Sequence, residues 1–274
     1  MKLLINHQTT YRYDRLVRRS VQYLRLNPKN LSNQKVLNWQ LAAPGSTHTQ
    51  PDGFGNLWTS LSMQQPHQDL LIMAQGTVEI DEHADSIEDQ HLPIELFLAE
   101  TELTEADDAL KAFTAEHLKR HDRHGLIELS EAIIAKMPYT PGATSVMTKA
   151  ADAFAMGHGV CQDHTHVFLA LLRDKGIAAR YVSGYIYEAT QAYMASHAWA
   201  EVLLAGNWYT FDISNQHFTP NCHVYIAFGR DYADAAPVRG VRTGGGDERL
   251  YSQVMVSTSP QYIPQLNAQF AAQQ

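Results

Sequence analysis

With 274 residues, the chain is long enough for one large domain or two modest ones and for a substantial buried core. A hydrophobic fraction of 45% and a charged fraction of 18% are ordinary globular values. The formal net charge of -8 argues against a nucleic-acid partner, which asks for a basic face. Two cysteines, Cys161 and Cys222, do not make a disulfide framework. The Met1–Asn6 stretch carries too little apolar sequence for a signal peptide. No run approaches the roughly 20 apolar residues of a membrane-spanning helix. The expectation is a cytoplasmic protein with no membrane partner.

Residues 1–92 read as a small antiparallel β domain. Thr9, Tyr11 and Tyr13 alternate with polar neighbours, and Val21, Tyr23 (then Leu24) and Leu26 repeat a period near two. Turn chemistry at Asn27–Asn30, Pro44–Ser46 and Asp52–Asn56 separates the runs. From about residue 93 the period changes to a helical one. Thr104 opens a helix that continues through Ala109, Leu110, Phe113 and Leu118, and Leu126–Met137 forms another, stopped by Pro138. Thr144 or Ser145 caps a helix through Ala155, which Gly157 ends. A further helix runs from about Val160 to Lys175, with Val167, Phe168, Leu171 and Leu172 as a core stripe and Gly176 just beyond its end. Strands are expected at 178–187, 197–204, 208–213, 223–229 and 250–258. The core is placed at 93–260, and 261–274 reads as a tail.

Chemistry gathers at three points. In Gly157-His158-Gly159-Val160-Cys161, the cysteine falls in the first turn of a helix behind a glycine-bounded loop. The free N–H groups and the positive dipole end there favour thiolate. A buried structural cysteine is the competing reading of this feature alone. The strand Ser196-His197-Ala198-Trp199-Ala200-Glu201 carries a histidine at its start, and Trp208–Asp212 returns beside it. With a two-residue turn at Gly206-Asn207, Glu201 faces Asp212, so His197, Trp199, Glu201 and Asp212 share one side. That register leaves His197 about four residues from the partner of Asp212, a gap that a bulge, longer loop or strong twist must close. His164 lies three positions after Cys161 on nearly the same face and is a candidate for the cleft wall, with Trp199 and Tyr185 as further candidates. Cys161, Asp163, His164 and His166 scatter around one helix, unlike a metal-binding helix pair, so no metal and no other cofactor is expected. Cys222 reads as unpaired and inert, and Asp231 and Asp234 as structural partners of Arg180 or Arg230.

Taken together, Gly159-Val160-Cys161-Gln162-Asp163, Ala179–Tyr185, Ser196-His197-Ala198-Trp199, Phe211-Asp212 and Gly229–Asp234 resemble the bacterial transglutaminase-like superfamily. Thr10–Tyr13, Leu24–Leu26, Pro28 and Asp52–Asn56 resemble that family's N-terminal region. The resemblance implies an α+β fold, in which an N-terminal antiparallel β domain precedes a papain-like core with a nucleophile helix and an antiparallel sheet. It also implies a triad of Cys161 as nucleophile, His197 as base and Asp212 as the residue orienting His197. One departure is visible: Asp212-Ile213-Ser214-Asn215 stands where the family often has Asp-Pro-Thr-Asn. The function expected is cysteine-dependent acyl transfer on peptide or protein amides, with hydrolysis ahead of transglutaminase-type amine transfer. A non-catalytic binding scaffold on the same fold is the third reading.

Overall fold

In a computed structural model, residues 1–189, 193–194 and 196–258 are described; the tail read at 261–274 lies outside them. In chain order the elements are β1 (Lys2–Leu24), β2 (Gln34–Ala42), β3 (Ser46–Pro51), β4 (Leu57–Met63), β5 (His67–Ile80) and β6 (Ile87–Glu88). Five helices follow: α1 (Glu95–Leu98), α2 (Asp108–His117), α3 (Arg123–Lys136), α4 (Ala150–Met156) and α5 (Cys161–Asp174). The chain continues with β7 (Ala179–Ile186), β8 (Tyr193–Met194), β9 (His197–Leu204), β10 (Asn207–Phe211), β11 (His223–Gly229), α6 (Tyr232–Ala235), β12 (Val238–Gly244) and β13 (Glu248–Ser257). The fold is α+β, with more strand than helix, in two antiparallel sheets.

The first sheet is organised on the long strand β1. Its front half pairs with β5 and β13, and its back half with β4 and β12. The register slips between Arg12 and Val17 against β5 and between Val17 and Arg19 against β12. Apart from Asn6, buried positions are odd from Leu3 to Val17, and they are even from Ser20 to Leu24, because an extra residue at a bulge turns the following side chains to the other face. Val21 and Tyr23, read as core-facing, therefore point outward, and Gln22 and Leu24 are buried in their place. Strands β12 and β13 join this first sheet and β6 joins the second. Sheet membership thus crosses the sequence boundary drawn at 92/93.

The second sheet has the order β11-β7-β9-β10-β6. Helix α5 packs on β9 and β7 with one side and on α2, α3 and α4 with the other. The expected stripe is accordingly a full cylinder: Val167 to Leu172 are all completely buried, as in a helix apolar all round. Each of these side chains but the smaller Ala170 contributes about 1.5–3 kcal/mol of transfer free energy. The helix is locked in rotation by its polar residues too. Arg173 donates to Phe97 O, Thr104 Oγ1, Ala179 O and Arg230 O. His166 Nε2 accepts from the Tyr232 N–H. Upstream, α2 is capped by Asp107, whose carboxylate accepts from Leu110 N–H; Thr104, expected as the cap, instead binds Thr101 and Arg173. Helix α4 starts at Ala150, later than expected, because Ser145 and Thr148 close a turn of their own.

The two sheets meet through Leu3, Ile5, Val78, Ile80, Val254 and Val256 on one side and Tyr185, Val224 and Ile226 on the other. β11 is an edge strand, and its free backbone groups are covered by side chains from the first sheet and its loops. Gln34 donates to Tyr225 O and accepts from Tyr225 N–H; Asn56 does the same at Phe228. Two side-chain amides thus take the place of a neighbouring strand and hold β11, with His223 at its start.

Candidate active site

The amino end of α5 is shaped by the residues before it. Gly157 ends α4 in the left-handed conformation, at φ 72°. Gly159 passes so close to Asp163 that a Cβ there would meet the Asp163 Cβ at 2.6 Å. Asp163, in the first turn, accepts from the Val160 N–H at 2.8 Å and from Thr144 Oγ1 at 2.6 Å. Gln162 donates to Val146 O, and Thr140 N–H to Gly159 O. The 139–148 loop is therefore tied to the helix start from both sides. Cys161 stands as the first helical residue, partly exposed, where backbone N–H groups have no intrahelical acceptor.

The register between β9 and β10 brings histidine and carboxylate together. The turn is Ala205-Gly206, both at positive φ, one residue earlier than read from sequence, so Leu204 pairs with Asn207 and Ala200 with Phe211. Continued by one step, this register sets Asp212 opposite Trp199. The separation from His197 falls to two residues along one face, within diagonal reach. His197 Nε2 lies 2.7 Å from Asp212 Oδ2. Asp212 is completely buried, whereas the His197 side chain is 10% exposed. The carboxylate also accepts from Asn215 Nδ2 at 2.9 Å, from the Asn215 N–H at 3.2 Å and from His223 Nε2 at 3.1 Å.

The electrostatics follow from burial and pairing. Burial pulls His197 down, but the Asp212 charge and hydrogen bond outweigh it, and the Cys161 side chain adds to them as hydrogen-bond partner and charge; the imidazole is raised from 6.5 to about 10. Burial pushes Asp212 up, while His197 and the hydrogen bond from His223 hold it well below the usual carboxylate range. His223, fully buried, is lowered by desolvation, against the pull of Asp212. It is neutral and donates Nε2–H. With Nε2 of His197 committed to Asp212, its Nδ1 is the nitrogen left for the thiol. The imidazole is held by a buried carboxylate and is raised further by the side chain of a helix-borne cysteine, the residue types that thiol acyl transfer uses.

Two family models match the chain. Residues 3–79 match the bacterial transglutaminase-like N-terminal region, and residues 112–213 match the transglutaminase-like superfamily. The core matches the transglutaminase-like superfamily. The second match spans Cys161, His197 and Asp212 together. An uncharacterized protein of Mycobacterium leprae is 28% identical over 264 residues, covering 89% of this chain and 94% of its own length. An uncharacterized protein of Mycobacterium tuberculosis is 28% identical over 270 residues, covering 86% of each. A solved structure of a candidate cysteine protease from Cytophaga hutchinsonii superposes with a TM-score of 0.77 at 23% identity, covering 96% of this chain and 93% of that one. That likeness is one of fold.

Within the transglutaminase-like core, several residues take places that differ from their sequence reading. His164, Trp199 and Tyr185, read as cleft wall, are all buried. His164 binds Ser214 Oγ and Met137 O through its two ring nitrogens. Tyr185 OH meets His7 Nδ1 between the two sheets, and Trp199 packs edge-on against Tyr225. They fix the sheet and α5 rather than face solvent. Arg180 pairs with Glu201, not with Asp231 or Asp234; Asp234 pairs with Arg230. Cys222, read as unpaired, has its sulfur 3.7 Å from His223 Nδ1. Burial, then Asp212 and Glu188, push its thiol up to about 12.

Sequence reasoning missed His223 altogether, because its partner Asp212 is reached only through the fold of 212–223. The substituted loop has its own ties: Ser214 to His164, Asn215 to Asp212, and Gln216 to Ser130 and Ile213 O. On the open side, Tyr139, Val146 and Met147 are exposed.

Proposed function

We propose that the chain is a cysteine-dependent hydrolase of amide bonds in peptide or protein substrates, acting through a thioester. The observation that carries this reading is the 2.7 Å bond between His197 and Asp212, with the imidazole raised to about 10 and the Cys161 side chain among its partners. At neutral pH the imidazole is charged.

The Cys161 sulfur attacks the substrate carbonyl carbon, and the C=O electron pair moves onto oxygen. The backbone N–H of Cys161, at the start of α5, is placed to donate to that oxyanion. Collapse of the intermediate breaks the C–N bond, and the leaving amine takes the proton from His197. Water then attacks the thioester, gives a proton to His197, and the thiolate leaves. Asp212, fixed by Asn215 and His223, keeps the imidazole in one orientation throughout.

Hydrolysis is favoured over amine transfer by the openness of the site. Cys161 is partly exposed and its neighbours Tyr139 and Met147 face solvent, so water has access to the acyl-enzyme. Incubating the protein with a glutamine-containing peptide and a fluorescent amine separates the readings. Peptide cleavage or ammonia release without incorporation of the amine supports hydrolysis, and incorporation supports transfer. Neither product from a panel of peptides, with Cys161 unreactive toward iodoacetamide, would overturn both and leave a binding scaffold. No helix among the described residues is long and apolar enough to cross a membrane.

A further inference from the structure

His223 belongs to two clusters at once. Its Nε2 is bound to Asp212 at 3.1 Å, and its Nδ1 faces Cys222 Sγ at 3.7 Å. His217, Cys222 and His223 each place one ligand atom within 4.8 Å of the others. A tetrahedral zinc ion, with Zn–S of about 2.3 Å and Zn–N of about 2.0–2.1 Å, sets its sulfur and nitrogen ligands about 3.5 Å apart. The Cys222–His223 pair already stands near that separation. Both imidazoles also carry an oxygen partner on one nitrogen: Asp212 on His223 Nε2, and Asn221 Oδ1 at 2.8 Å with Thr219 Oγ1 at 3.1 Å on His217 Nε2. A carboxylate or amide oxygen behind each ring is the support that ligating histidines use to fix their orientation. His217 and Cys222 are half-buried and His223 is buried, so an ion has one open approach and one position left for water.

We propose that His217, Cys222 and His223 form a binding site for a thiophilic divalent cation, zinc(II) by ligand class, and that its occupation slows the enzyme. Binding exchanges the Cys222 thiol proton for the metal; no redox change is involved. The ligands lie between β10 and the first residue of β11, away from the Cys161–His166 stretch, where no metal was expected. The link to the active site is a shared atom. His197 and His223 both bond to Asp212 Oδ2, at 2.7 Å and 3.1 Å, with ring centroids 6.4 Å apart. A cation on Nδ1 polarises the His223 Nε2–H, which then competes more strongly with His197 for that oxygen. The ligand atoms of His197, Asp212 and His223 also lie within 4.8 Å of one another, but an ion there requires breaking the 2.7 Å bond between His197 and Asp212 and finds no sulfur. Metal binding stands on geometry alone; the inhibitory effect rests on the function proposed above.

The test uses cobalt(II) as the probe in a Cys161→Ala chain, where Cys222 is the one remaining cysteine. A cobalt–thiolate charge-transfer band, saturating at one ion per chain and displaced by zinc, is expected. It vanishes on adding Cys222→Ser and its affinity drops by about 10-fold or more on adding His217→Ala. Folding of each variant is checked by circular dichroism, and His217→Ala gives the answer if Cys222→Ser does not fold. Absence of the band, or binding unchanged without Cys222, overturns the site. In the wild-type chain zinc should slow iodoacetamide alkylation of Cys161. Slowing that persists in His217→Ala and in Cys222→Ser means that zinc acts at Cys161 directly, and overturns the coupling. An inactive protein with a full band loses the proposed function and keeps the site; an active protein with no band does the reverse.

Discussion

On one side of Asp212 stand His197 and Cys161; on the other stand His223 and Cys222. The two arms have the same residue types, and both histidines use Nε2 on the same oxygen. Their surroundings differ. Cys161 begins α5, beside helix N–H groups and partly open to solvent. Cys222 lies in a connecting segment with no helix terminus, and burial drives its thiol up to about 12. His197 is raised to about 10, whereas His223, fully enclosed, is lowered. The comparison teaches that a thiol, an imidazole and a carboxylate in series do not define a nucleophile. Under the function proposed above, the helix terminus and the access of solvent decide which arm reacts.

Substitutions that disable the reactive arm should have the largest effects. Cys161→Ala should bring peptide hydrolysis to background, and His197→Ala nearly so, a loss on the order of 10⁴–10⁶ in kcat. Steady-state kinetics with a cleavable peptide measures both. Asp212→Asn keeps the shape and misorients the imidazole, with an expected loss on the order of 10²–10⁴; activity within threefold of wild type would mean that the carboxylate does not orient His197. On the buried arm, His223→Ala removes one donor from a buried carboxylate. It should cost about 1–3 kcal/mol in a denaturant melt and lower kcat by roughly tenfold, less than Asp212→Asn.

The smallest effect is on stability against pH. His197 is raised in the fold from 6.5 to about 10, so its contribution is complete below pH 6.5 and is lost as pH rises through 10. Asp212 is depressed, so its contribution is complete above its ordinary 3.8 and is lost only in stronger acid. Denaturant unfolding of the wild type should therefore weaken between pH 6.5 and 10, and His197→Gln should flatten that decline. An equal decline in both proteins would assign it to other groups.

The arm proposed to react was legible in the sequence as a set of residues, and the buried arm was not. Cys161 announces itself through the glycine-bounded loop and the helix that follows, and His197 and Asp212 through strand parity. Parity survived even though the turn moved from Gly206-Asn207 to Ala205-Gly206, because the register changed by two residues and two is the period of a strand. The same arithmetic failed in β1, where a bulge shifted the phase by one and turned Val21 and Tyr23 outward. His223 could not be found by pattern, since its position depends on the loop from Asp212 to Cys222 and on Gln34 and Asn56 holding β11 from the far end of the sequence. His164, three residues from Cys161, looked like cleft wall because helix spacing says nothing of what packs on a helix. α5 is enclosed on every side beyond its first turn.

The most direct test of the account is the rate of iodoacetamide alkylation at each cysteine, followed by peptide mass spectrometry between pH 5 and 9, in the wild type and in His197→Ala. The account predicts fast modification of Cys161 at neutral pH, little at Cys222, and a fall in the Cys161 rate by one to two orders of magnitude without His197. Equal, slow modification of both thiols, or a Cys161 rate unchanged in His197→Ala, would contradict it.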